Sequence, residues 1–216
     1  MKKILGILSL IVMFVAGATY SADAQELSKQ QQKAIEKDVK KRSKQLSKAG
    51  WEPLAATSTL DYSMLKYRTY IESDEENRIP ITGIAVGKNP KIGRENAIHS
   101  GISSYASRAA AQVIGKVKSV LSADNNNITA EEIDKFGAAY ESGVNTKIAG
   151  LVKEHFALVR TLPDGTREFN VFMSIDETKA RQAREEARRL AEEQTKLKTL
   201  SEMTADFIGE PVAPEE

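Results

Sequence analysis

One stretch of this chain, residues 93–121, restricts the fold more than any other. Its apolar positions Ile98, Ile102, Tyr105, Ala109, Val113, Val117 and Val120 recur at spacings of three and four, which draws one continuous face along a long helix. Beside that face runs a stripe of small residues, Ala97, Gly101, Ala106 and Ala110. Small side chains let another backbone come close, so this helix is expected to lie flat on a sheet.

The strands of that sheet can be read on either side of it. Residues 79–87, Ile-Pro-Ile-Thr-Gly-Ile-Ala-Val-Gly, are β-branched and apolar and are bounded by Asn89-Pro90, with Pro80 tolerated only at a strand's start or on an edge. Residues 151–162 and 167–175 flank the turn Pro163-Asp164-Gly165-Thr166. In the second arm Phe169, Val171, Met173 and Ile175 alternate with Asn170, Phe172 and Ser174, as a half-buried strand requires. After an Asp124-Asn125-Asn126-Asn127 turn, Thr129 followed by Glu132 forms a capping box that opens a further helix faced by Ile133, Phe136, Tyr140, Val144 and Ile148. Residues 51–60 read as a connector and 73–77 as an acidic loop. Residues 61–72 fit either a helix or a strand. The sum is an α+β fold: a small antiparallel sheet packed on one face by the long helices beginning near Gly93 and Thr129, with flanking N- and C-terminal helices.

The ends place this domain, residues 51–176, in a secreted precursor. Lys2 and Lys3, an apolar run from Ile4 to Ala16, and the small-x-small Ala22-Asp23-Ala24 make a three-part export signal over residues 1–24, cut before Gln25. The run is shorter than the roughly 20 residues a membrane span needs, so no span is expected after cleavage. Without cysteine, disulfides, thiolate metal sites, a thiol nucleophile and an acylated anchor are excluded. Once the signal is removed, basic and acidic residues balance, and no global field directs the chain to nucleic acid.

Residues 25–50 carry local charge instead. A helix over 26–48 shows a thin apolar stripe of Leu27, Ile35, Val39 and Leu46 under many lysines, and Gly50 ends it. Lys37, Lys40, Lys41 and Lys44 are the candidate binding residues, a basic face suited to lipopolysaccharide, a phospholipid head group or another acidic envelope component. The same pattern also suits a helix that is merely solvated. Asp176 caps a charged helix over 177–207, in which Ala183, Ala187, Leu190, Gln194 and Leu197 sit at coiled-coil spacing, so self-association through it is open. Residues 208–216, with Pro211 and Pro214, are expected to be a disordered tail.

Chemistry is sparse. His99 and His155 lack ligand partners at metal-binding spacing, and both are read as structural or surface residues, so neither metal nor cofactor is expected. Gly101-Ile102-Ser103-Ser104-Tyr105 lacks the second glycine of a nucleophile elbow and lies within a helix. Gly83 to Lys88 lacks the Gly-Lys-Ser/Thr ending of a phosphate loop, and its glycines are better read as letting a strand pass close to its helix. The neighbours Glu131 and Glu132, like Glu185 and Glu186, diverge on their helices. No catalytic residue emerges.

Gly50-Trp51 after a charged helix, the strand Ile81-Thr82-Gly83-Ile84-Ala85-Val86-Gly87, the helix with Asn96-Ala97-x-x-x-Gly101 and Ala109-Ala110-x-Gln112-Val113, and the closing hairpin together resemble bacterial envelope lipoproteins of the LPP-twenty type. The likeness extends over roughly residues 50–187. It implies a small α+β domain in the periplasm or at the outer membrane, and it carries no catalytic residues. The sequence departs from the family at Tyr105, where relatives have a small residue, and in having no cysteine to acylate. The expectation is therefore an exported, noncatalytic cell-envelope protein, periplasmic or outer-membrane-associated or released, that works by binding or assembly. The competing expectation is an extracytoplasmic enzyme or small-ligand binder with a pocket between sheet and helices.

Overall fold

The computed structural model describes residues 27–55, 58–121 and 128–212; the expected export signal and the turn at 124–127 lie outside the described residues. In chain order the elements are α1 (Lys29–Lys48), β1 (Glu52–Pro53), α2 (Leu60–Glu72), β2 (Arg78–Gly87), α3 (Pro90–Leu121), α4 (Ala130–Ile148), β3 (Lys153–Thr161), β4 (Arg167–Asp176), α5 (Glu177–Thr195) and α6 (Lys198–Ile208). The α+β class and the antiparallel sheet are as the sequence leads one to expect.

Local chemistry sets most boundaries. The Thr129 hydroxyl accepts from the Glu132 backbone N–H while the Glu132 carboxylate accepts from Thr129, the anticipated capping box. Asp176 accepts from the Lys179 N–H and starts α5. Gly50, at φ +81°, ends α1 in a conformation that costs glycine little. Helix α3 starts earlier than its apolar pattern suggests, because Asn89 Oδ1 accepts from the N–H groups of Lys91 and Ile92 and Pro90 fits a first helical position. Residues 61–72, which fit either period, are helical: Thr59 caps α2 through the Tyr62 N–H, and Leu60, Met64 and Tyr67 bury one face.

The strands lie in the order β1-β3-β4-β2, all antiparallel. β2 and β4 pair without interruption from Arg78↔Asp176 to Gly87↔Arg167, and β3 carries an irregularity at His155, between Glu154 and Phe156. Residues alternate between two faces. The inner face, with Ile81, Val159, Phe169, Val171, Met173 and Ile175, lies in the larger core with α3. The outer face contributes Leu158, Phe156 and Phe172 to a second core with Ile35 and Val39 of α1 and Leu60 and Met64 of α2. The sequence anticipates helices on one face only; α1 and α2 cover part of the other, because Phe156, Leu158 and Phe172 leave it apolar as well.

Helix α3 lies on β2 and β4 at backbone distance. A Cβ at Gly83 would stand 1.8 Å from the Ala97 carbonyl oxygen and 2.9 Å from the Gly101 nitrogen, and one at Gly101 would stand 2.6 Å from Met173 Cε. The small-residue stripe and the strand glycine are thus the two halves of one contact, and Tyr105 does not obstruct it. Helix α4 packs mainly on α3 and α5 rather than on the sheet. Gly143 meets Ala187 closely enough that an added Cβ would stand 3.0 Å from the alanine Cβ.

Two expectations about the C-terminal region are corrected. The single charged helix over 177–207 is divided at Lys196, whose backbone turns left-handed at φ +61°, and α6 folds back on α5 with Leu200 and Ile208 buried. The tail expected to be disordered from residue 208 is instead packed as far as it is described: Val212 is buried, and the Pro211 carbonyl accepts from Gln112 of α3.

The contact at Gly83 can be tested by substitution. Since the atom in the way is a backbone carbonyl, Gly83→Ala is expected to destabilise by about 3 kcal/mol or more, the upper end for overpacking. Gly87→Ala, whose Cβ would meet only Gly93 Cα at 4.0 Å, should change stability by less than about 1 kcal/mol. Urea unfolding of the two variants checks both.

Candidate functional site

Helix α1 has the largest net charge of the described elements. Lys29–Lys48 holds seven lysines and Arg42 against Glu36 and Asp38. It grips the body by a narrow stripe, Ile35, Val39 and Ser43, one side chain per turn. At about 100° per residue, Lys37, Lys40, Lys41 and Lys44 fall within an arc of roughly 100° on the far side of the helix from that stripe. All four are exposed, so the residues proposed from charge alone share one ridge. Lys33 and Lys48 are exposed on the same arc and lengthen the ridge to about 22 Å, at 1.5 Å per residue.

The two acidic residues do little to neutralise this ridge. Asp38 lies off the arc and takes Arg42 at 3.1 Å and Arg68 of α2 at 2.8 Å. Among the described residues, Lys37, Lys40, Lys41 and Lys44 make no ion pair with a carboxylate. On one flank of the ridge, Asp38, Lys41, Arg42 and Leu46 line an open groove of about 580 Å³ with Met64 of α2 and Phe172 of β4. Lysines above an apolar groove can take acidic groups by charge and their apolar portions by contact. Met64 and Phe172 were not legible as site residues, because only the fold sets them beside α1.

A more enclosed hollow lies where β3 meets α2 and the segment after β1, lined by Ser58, Ser63, Arg94, Glu154 and His155 among others. Its polar groups already satisfy one another. Arg94 makes a two-point ion pair with Glu154, and the Ser58 and Ser63 hydroxyls are 2.6 Å apart. His155 Nε2 is 2.8 Å from Ser174 Oγ. The His155 ring packs against Tyr67 and Tyr70 with centroids 5.0 and 4.7 Å away. Burial, reinforced by Lys153, Lys66 and Arg78, pulls its pKa down to about 4. His99 lies exposed on α3. Glu132 serves its cap, Glu185 pairs with Arg188 and Arg189, and Glu186 pairs with Lys147, which holds all three carboxyls below their usual range.

One buried polar cluster had no sequence signal. Arg184 of α5 is buried and donates to Glu177 at 2.6 Å, to the Tyr105 hydroxyl at 2.6 Å, and to the carbonyls of Ile208 and Glu210 at 3.2 and 3.0 Å. Burial raises the Tyr105 pKa to about 12, so the phenol is neutral and accepts from the guanidinium. Every contact in the cluster is internal, so Arg184 acts as a clamp on the end of α6 and not as a ligand site.

No family description, no curated protein and no solved structure matches this chain. Among the described residues, no helix is long and apolar enough to cross a membrane.

The His155 environment sets a pH dependence. Unfolded, the imidazole takes a proton near pH 6.5, but folded it resists until about pH 4. The unfolded state therefore binds more protons between these values. Stability should be independent of this residue above pH 6.5, fall as pH drops from 6.5 to 4, and lose no more to it below. Thermal midpoints measured across that window should slope for the native protein and slope less for His155→Gln.

Proposed function

We propose that this protein is an exported, noncatalytic component of the cell envelope, periplasmic or associated with the outer membrane, which acts by binding acidic envelope material through the lysine ridge of α1. The observation that carries the reading is the ridge itself. A helix with eight basic and two acidic residues is displayed on a body whose remaining charge opposes it, and its Asp38 is engaged by Arg42 and Arg68, away from the ridge. A helix that served only to cover the outer sheet face would need Ile35 and Val39 but not a row of unpaired lysines on its solvent side. The export signal and the likeness to LPP-twenty envelope proteins support the compartment. The mutual pairing of polar groups in the hollow beside His155 favours binding at the ridge over chemistry in that pocket.

The test uses the protein as processed by the expressing cell and vesicles of phosphatidylglycerol or of phosphatidylcholine. Each lysine near an anionic surface contributes about 1 kcal/mol. Changing Lys37, Lys40, Lys41 and Lys44 together to Gln should therefore weaken binding to the anionic vesicles by far more than tenfold, with the circular dichroism unchanged. Binding of the native protein should also fall between low and moderate salt, and phosphatidylcholine should bind neither form. Equal binding by the native and substituted proteins would remove the ridge from the function.

A further inference from the structure

The sheet has two edges. At one, β1 is only two residues long. At the other, β2 runs for ten residues and, among the described residues, has no strand beyond it. Proteins keep such edges from pairing with charges, bulges or prolines. Here there is no charge from Ile79 to Gly87 and no bulge in the ladder with β4; Pro80 guards only the half nearer α2. Among the described residues, the backbone of residues 82–87 makes no hydrogen bond outside the sheet.

The unguarded half is also where apolar surface is exposed. Ile84 and Val86 are 50% and 55% exposed on the outer face, on either side of Ala85. On the opposite face of the sheet, Ile92 at the start of α3 is 55% exposed, and Asn96 one turn on is exposed as well. Arg94 reaches across to Glu154 of β3, and residues two away on a helix point about 200° from it. Ile92 and Asn96 therefore lie towards the β2 edge. The strand edge from Ile79 to Gly87 is uncharged in a chain with 28% charged residues.

We propose that β2 pairs antiparallel with β2 of a second copy of this chain, about a twofold axis through Ala85, so that the two sheets become one. The occupant follows from symmetry. A twofold sets the residue on its axis against its own copy and each neighbour against the residue on the other side of the axis. Ile84 and Val86, exposed symmetrically about Ala85 on a segment without charge, are therefore complementary to the same segment of a second copy. With Ala85 opposite Ala85, Ile84 of each copy faces Val86 of the other. This is the register that matches both exposed β-branched side chains, a favourable cross-strand pair. Of the leucines on the charged C-terminal helix, which left self-association open from the sequence, Leu200 is buried within the chain and Leu197 packs on the same core, while Leu190 is partly exposed.

Sedimentation equilibrium of the protein as processed by the expressing cell, over a range of concentrations, should give the mass of a dimer. Ile84→Lys with Val86→Lys should give a monomer of unchanged circular dichroism, since both side chains are exposed and leave the core alone. The chain has no cysteine, so Ala85→Cys introduces a single thiol that should lie opposite its own copy, within the Cα separation a disulfide spans. Under mild oxidation it should crosslink at least ten times faster than Tyr62→Cys, a control at a 60% exposed position on α2. A monomer at every concentration, a dimer indifferent to the two lysines, or equal crosslinking at the two positions would each overturn the proposal.

Discussion

The structure depends on one close approach, that of strand β2 to helix α3 at Gly83. There a carbonyl of the helix occupies the space that any side chain on the strand would need. Contact at that distance requires small residues on both partners, and Ala97 and Gly101 supply them on the helix. Its consequence reaches beyond the sheet. With α3 held against β2 and β4, its other sides carry Ile102, Tyr105, Ala109 and Val113, all buried, and these form the wall on which α4 and α6 assemble, with α5 packed on both of them. The long helix is both the cover of the sheet and the centre of the helical layer. Its own axis is therefore an interior, which is why its apolar and small stripes together cover most of its circumference.

A second constraint works at the C-terminal end, and it is polar. The last carbonyls of a helix have no partners within it. Arg184 donates to the carbonyls of Ile208 and Glu210, and its charge is met by Glu177 one element end away. A buried ion pair adds little net stability compared with apolar packing, but it is strongly unfavourable to break once formed. The arrangement therefore selects one position for α6 more than it strengthens the fold. Alanine at 180, 183, 187 and 191 lets α5 sit close to its neighbours, so Ala183 and Ala187 of the spacing that resembled a coiled-coil seam are buried within the chain.

What could be read in advance was what local chemistry decides. Thr129 with Glu132, Asp176, Gly50 and the hairpin turn each act within a few residues, and the periods of α3 and β4 are long enough to be unambiguous. What could not be read depends on distant partners. β1 exists because the end of α1 delivers Glu52 and Pro53 alongside Val159 and Leu158. The break at Lys196 carries no glycine to mark it, and Val212 is ordered by a core assembled far upstream. The site divides in the same way: four lysines on one helix face follow from spacing, whereas the apolar groove beside them joins residues of α1, α2 and β4 and has no trace in any one segment.

A formal net charge of only +1 conceals how the charge is distributed. The positive excess is gathered on the solvent side of α1, and charge is absent from the free edge of β2, so the surface has one region that attracts anions and another with no electrostatic preference. Both belong to the same side of the architecture, because α1 and α2 lie over the outer face of β3 and β4 while Ile84 and Val86 of β2 continue that face uncovered. A twofold axis between antiparallel strands stands perpendicular to their sheet, so it leaves the outer faces of both copies pointing the same way. Two lysine ridges would then address one surface. Ligands presented singly gain nothing from that geometry, but an extended acidic surface can meet both ridges at once, and the second contact forms at the high effective concentration set by the first. The uncharged edge and the charged helix would in that sense be complementary: the edge offers no repulsion to a second copy, and a second copy would double the helix.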